Sequence, residues 1–140
     1  MVRNTAAIHV GRLLEVRADA GYRTVSEVDQ LFELIQAELD KFPRIQRYIT
    51  VVDWRRCPLM ESRASERIVQ RIVAQNPRTE RSAALASRDS PVAVLQFMRL
   101  IRETQHPERR MFFEPDELSA WLREVLIDEE YARLQAFLAR

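Results

Sequence analysis

The sequence predicts an α/β domain on a mixed, mostly parallel sheet of four to five strands, with an N-terminal hairpin and about five flanking helices. Three observations predict it. Short β-branched runs alternate with longer stretches of helical apolar spacing, the signature of strand–helix–strand units. A glycine turn joins only the first two runs, which confines antiparallel pairing to the start of the chain. The chain has 140 residues, 46% of them hydrophobic, which suits one core and one domain.

Ile8 and Val10 alternate with His9, and Leu14, Val16 and Ala18 alternate with Glu15 and Arg17, so residues 6–18 read as a β-hairpin. Gly11-Arg12 lies between the two runs. Glycine at the first central position suits a type II′ turn, where only glycine takes positive φ cheaply. Gly21 marks the exit from the second strand.

Thr24-Val25-Ser26-Glu27 is a capping box that opens a helix. Val25, Val28, Leu31, Phe32, Ile35, Leu39 and Phe42 follow at helical spacing, and Pro43 stops it. Tyr48 to Asp53 is short and nearly continuous in apolar character, which suits a central strand covered on both faces. After a loop from Trp54 to Met60, a helix runs from about Ser62 to Gln75, with Ile68, Val69, Ile72 and Val73 inward. Asn76-Pro77 ends it.

Arg81 to Ser87 lies between a helix stop and a fresh start, and reads as a strand. Ser90-Pro91 supplies a serine N-cap and a first-turn proline. Val94, Leu95, Met98 and Ile101 form the expected buried face of that helix, widened by Phe97 and Leu100. Met111 to Phe113 is a short strand. Pro115 begins a helix with Leu118, Trp121, Leu122 and Val125 inward, and Asp128 is expected to cap a last helix carrying Tyr131, Leu134, Phe137 and Leu138. Residues 1–140 thus form one domain, with a core of about 6–125 and an added helix at about 128–138.

The charge balance is 22 basic against 21 acidic residues, a net of +1. A general nucleic-acid binder carries a clear basic excess, so no nucleic-acid partner is expected. All the basic residues except Lys41 are arginine, scattered among acids, a bias that reads as genomic base composition rather than as a surface tuned for polar recognition. A lone cysteine, Cys57, excludes an internal disulfide and fits a reducing compartment. No apolar run approaches the ~20 residues that span a bilayer, and Met-Val-Arg-Asn-Thr has no signal-peptide core. The expectation is a cytoplasmic protein without membrane insertion.

Catalytic constellations are missing from the pattern. His9 and His106 lack metal-ligand spacing, no C-x-x-C pair exists, and no metal is expected. Two glycines ten residues apart make no phosphate loop, and a G-x-S-x-G elbow is absent. No cofactor and no enzymatic activity are expected. The informative stretch is Asp53 to Ser65. Asp53 ends the expected central strand, on the edge where open α/β sheets bind ligands and partners. It is either part of a recognition or phosphorylation site or a hydrogen-bond acceptor that holds the loop before the next helix. Ser62 is a helix N-cap, a regulatory hydroxyl at a positive helix end where a phosphate would be stabilised, or both. Met60, Phe97, Met98 and Trp121 are candidates to line a pocket between sheet and helices, although such spacing is more often ordinary core.

The element order and several local motifs resemble the STAS superfamily, and more closely its bacterial SpoIIAA-like variants. The residues that carry the resemblance are Gly21-Tyr22, Val51-Val52-Asp53-Trp54-Arg55, Asn76-Pro77, Arg81 to Ala84, and Phe112 to Leu122. Eight residues beyond Asp53 comes Glu61-Ser62-Arg63-Ala64, where the family has an acidic-Ser-Ser-Gly step opening a helix. The resemblance spans about residues 6–125. It implies a non-enzymatic anti-sigma-factor-antagonist-like module that binds another protein, such as a kinase-like regulator or a cytoskeletal or signalling protein. The phospho-acceptor position of that pattern is Arg63 here, and the following glycine is Ala64, so switching through that serine is not expected. The implied working surface is Asp53, Trp54, Glu61, Ser62 and Arg63. A small-molecule site for a lipid or nucleotide is the alternative, as is a homodimer formed through the C-terminal helix.

Overall fold

The computed structural model describes residues 2–140. Five strands form one sheet in the order β1-β2-β3-β4-β5: β1 (Thr5–Ile8), β2 (Leu13–Arg17), β3 (Tyr48–Asp53), β4 (Thr79–Leu85) and β5 (Arg109–Phe112). β1 is antiparallel to β2, and all later pairs are parallel. The helices are α1 (Val25–Leu39), α2 (Ser62–Gln75), α3 (Pro91–Glu103), α4 (Pro115–Arg123) and α5 (Asp128–Leu138). The mixed α/β fold with its opening hairpin is therefore the one the sequence predicts.

Strand order follows chain order, so each β-α-β crossover steps the same way across the sheet. A constant crossover hand then places α1, α2 and α3 on one face. Leu14, Val16 and Tyr48 pack there against Leu31, Phe32, Ile35, Ile68, Phe97 and Leu100. After β5 the chain returns across the opposite face. Leu13, Ile49, Val51, Ala83 and Leu85 meet Leu118, Leu122, Leu134 and Phe137 of α4 and α5 there. β3 is central and double-covered, which explains its unbroken apolar run. The apolar side of α5 is buried against its own sheet, with Leu134 at 0% exposure.

Several boundaries and faces differ from expectation. Gly11 takes φ +57 while Arg12 does not turn positive, and Leu13 N–H donates to Val10 O at 3.3 Å. The glycine therefore plays its expected part. However, Ile8 pairs with Leu14, so β1 stops at Ile8, and His9 and Val10 lie outside the ladder. β4 and β5 each begin two residues early; a short 3-10 turn over Asn76–Arg78 leads directly into β4 at Thr79. On α3 the buried positions are Ala93, Phe97 and Leu100, not Leu95 and Met98. On α2 Val73 is exposed, and Ala64 with Ile68 supplies the buried contact. Ile127, not Asp128, is the N-cap of α5, and Glu130 closes that cap.

Candidate functional site

Parallel strands end, and α1, α2 and α3 begin, on one edge of the sheet. Asp53 stands at the centre of that edge, yet it is only 2% exposed. Its Oδ1 accepts from Arg55 N–H and Arg55 Nε, both at 3.0 Å, and Oδ2 accepts from an Arg17 guanidinium nitrogen at 2.8 Å. Arg17 also donates to Phe137 O at 2.7 Å, and its guanidinium lies 3.9 Å from the Phe137 ring centre. Burial pushes the Asp53 carboxyl up, but the Arg55 and Arg17 partners outweigh it and hold it below the usual range. The side chain is thus turned toward α5, on the sheet face opposite α2. Of the two roles open to Asp53, the geometry displays the loop-holding one. It does not meet Ser62.

Trp54 is buried as well, stacked on Phe97 at 4.6 Å between ring centres. Its Nε1 donates to Tyr22 Oη at 3.4 Å, and burial raises the Tyr22 phenol. Cys57 lies in the same packing, and burial, then the nearby Asp19 charge, pushes its thiol up to about 12. Such a thiol is a poor nucleophile.

Glu61, Ser62 and Arg63 are exposed. The N-cap of α2 is Glu61, whose carboxylate accepts from Arg63 N–H at 3.0 Å and Ala64 N–H at 3.2 Å. Ser62 is the first helical residue and caps nothing. An acidic cap outcompetes the neighbouring serine here because a carboxylate accepts more strongly and complements the helix dipole. Gln96 of α3 grips the loop: Met60 N–H donates to Gln96 Oε1, and Gln96 Nε2 donates to Met60 O, both at 2.8 Å. That clamp buries Met60 and leaves Leu59 outside, 56% exposed.

The expected pocket lining does not assemble. Met60 and Phe97 belong to the core beneath α1–α3, Met98 is 50% exposed, and Trp121 lies across the sheet beside Phe112. α3 carries more large apolar residues than one face can bury, so Met98 was assigned to the wrong side by spacing alone. A small cavity does exist between the sheet and α1–α3, and it reaches Trp54 at one end and Arg109 at the other.

Sequence reasoning missed the outward face of α3. Val92, Leu95 and Met98 recur every three residues there, at 63%, 67% and 50% exposure. The available signal was excess: Val92, Val94, Leu95, Phe97, Met98, Leu100 and Ile101 are more large apolar side chains than one face of α3 can bury. A shallow depression beside it is lined by Arg88, Pro91, Val94, Leu95 and Phe113. Arg23, Arg56, Arg63 and Arg88 are exposed around the helix starts.

His106 has a structural role. Glu108 N–H donates to its Nδ1 at 3.0 Å, so Nε2 is the donor to Thr79 O at 2.9 Å. Among the described residues no cluster of three or more His, Cys, Asp or Glu is arranged to hold a metal ion, and no helix is long and apolar enough to cross a membrane. Compared with protein-family models, curated proteins and solved structures, the chain matches none.

Proposed function

We propose that this protein is a non-catalytic, STAS-like interaction module of the SpoIIAA-like kind, which binds another protein through the edge where α1–α3 begin and the outward face of α3. The observation that carries this reading is the exposure of Val92, Leu95 and Met98 on the outward side of α3, each at least half exposed. Monomers seldom leave contiguous apolar patches uncovered without a use for them. The arginines around it, together with three helix N-termini, favour a partner with an acidic margin. The element order and the spacing from Asp53 to Glu61-Ser62 support the kinship. Within this reading Asp53 and Trp54 hold the platform, and Glu61, Ser62 and Arg63 form its rim.

A photo-crosslinking residue placed at Leu95, with Leu34 on the outer side of α1 as the reference position, tests the assignment in the source cells. A discrete adduct from position 95 and not from position 34 is expected. Equal adducts from both positions, or none from position 95, would overturn it.

A further inference from the structure

β5 is the last strand of the sheet and pairs with β4 alone. Ser82 N–H donates to Glu108 O and Ala86 N–H to Phe112 O, both at 2.9 Å. Even-numbered residues therefore carry the ladder along β5, and the N–H and C=O of Met111 point out of the sheet. Natural proteins blunt such edges against stray pairing. At the opposite end of the sheet β1 is blunted, because Ile8 N–H donates to Glu38 Oε1 at 2.8 Å. Met111 has no such plug among the described residues.

α3 runs back along this open edge. Met111 and Phe113 face the core beneath α1–α3, while Phe112 faces α4. Arg88, Pro91, Val94, Leu95 and Phe113 line the depression between α3 and the end of β5. A strand laid beside β5 sends alternate side chains toward that depression and the others to the α4 side, where Arg110 lies 4.8 Å from the Trp121 ring centre. Arg88, Arg102 and Arg110 are exposed and border the edge, against the two exposed acids Asp89 and Glu114. The excess charge is positive. Two arginines in a strand of four residues also set like charges together in any self-pairing, which makes a second copy the poorer occupant.

We propose that β5 takes an extended segment of the partner protein as a sixth strand, with apolar side chains in the α3 depression and acidic ones beside Arg110. This rests on the docking reading above and gives that partner its form: a segment of about five residues, matched to β5, in which apolar and acidic positions alternate. Backbone bonds to Met111 supply affinity, and the alternation supplies the choice of sequence. Arg102 at one end of the α3 side and Arg88 at the other suit further acids flanking the segment.

The test selects binders for the full chain from a displayed library of random nine-residue peptides and measures them against two variants. Met111→Pro removes the outward N–H and leaves the ladder to β4 in place; Leu95→Asp puts a charge on the α3 wall. The recovered peptides are expected to alternate apolar and acidic residues and to bind each variant at least tenfold more weakly. Peptides that tolerate Met111→Pro but not Leu95→Asp would overturn strand addition and leave docking on α3 standing. No recovered peptide, peptides without that alternation, or tolerance of Leu95→Asp would overturn it too, as would a dimer of the free chain in light scattering that Met111→Pro dissolves. If Met111→Pro does not fold, the recovered peptide methylated on alternate backbone nitrogens takes its place. One set of methyl groups should then abolish binding and the other spare it, and an equal effect of both sets would contradict an added strand.

Discussion

Glu130, at 0% exposure in the first turn of α5, accepts three hydrogen bonds from Arg12 of the hairpin turn: from the backbone N–H at 2.7 Å, Nε at 3.2 Å and a terminal nitrogen at 2.9 Å. Ile127 N–H adds a fourth at 3.0 Å. One carboxylate therefore closes the α5 cap, satisfies the turn of the hairpin and joins the two ends of the chain. The added helix is tied to the core by charge as well as by Leu134 and Phe137. Removing the carboxylate leaves the backbone N–H groups of Arg12 and Ile127 without their acceptor, while the part-exposed Arg12 side chain keeps Glu80 and Val125 O, at a cost of about 2–3 kcal/mol. Glu130→Ala should lower stability by about that amount in urea titration, and Glu130→Gln by less.

Gly11 makes a separate claim on the same contact. A Cβ there would come 2.9 Å from Glu130 Cγ, on a residue with φ +57. The carboxylate is held by four donors and cannot swing aside cheaply. Gly11→Ala should therefore cost about 2 kcal/mol, above the strain of positive φ alone, and the midpoint of urea unfolding reads it directly.

Acid stability follows from Glu130 and Asp53. Burial alone would raise the Glu130 carboxyl, but the Arg12 side chain and the N–H groups of Arg12 and Ile127 bring it below its ordinary value; Asp53 behaves likewise through Arg55 and Arg17. A carboxyl depressed on folding binds protons more readily in the unfolded chain. Its contribution is full above the unfolded value, about 4, and is lost as pH falls through the folded one. Stability should drop as pH is lowered below about 4. Glu130→Gln and Asp53→Asn should each be less stable at pH 7 and show a shallower acid decline in unfolding measured across pH 2–6.

The start of α2 separates two neighbours that the sequence does not distinguish. Losing an N-cap costs about 1 kcal/mol, so Glu61→Ala should show that loss while Ser62→Ala stays within about 0.5 kcal/mol of the unmodified protein. Thermal unfolding of the two variants checks the contrast.

Cys57 should resist thiol reagents in the folded protein, because burial holds it as the neutral thiol. Labelling by a disulfide reagent at pH 8 should be slow in buffer and immediate in denaturant. Fast labelling of the folded form would mean that the Trp54–Met60 loop opens far more often than its packing allows.

The architecture was legible because its signals are local. β-branched runs, the Thr24 capping box, Ser90-Pro91 and the glycine turn each act within a few residues, and their order dictates the crossovers. The site was legible only in part. Asp53 was found, but whether its carboxylate meets solvent or two arginines depends on Arg17, thirty-six positions earlier. Periodicity gave α3 its helix but not its orientation, since an apolar stripe wider than the core leaves two choices. Ser62 and Glu61 are both cap formers, and the choice between them rests on one residue of phase.

The docking face is tested most directly by the double variant Leu95→Asp/Met98→Asp, both positions being solvent-exposed. The account predicts unchanged thermal unfolding and at least a tenfold loss in affinity for the partner crosslinked at position 95. Full affinity in a variant that still folds would contradict it.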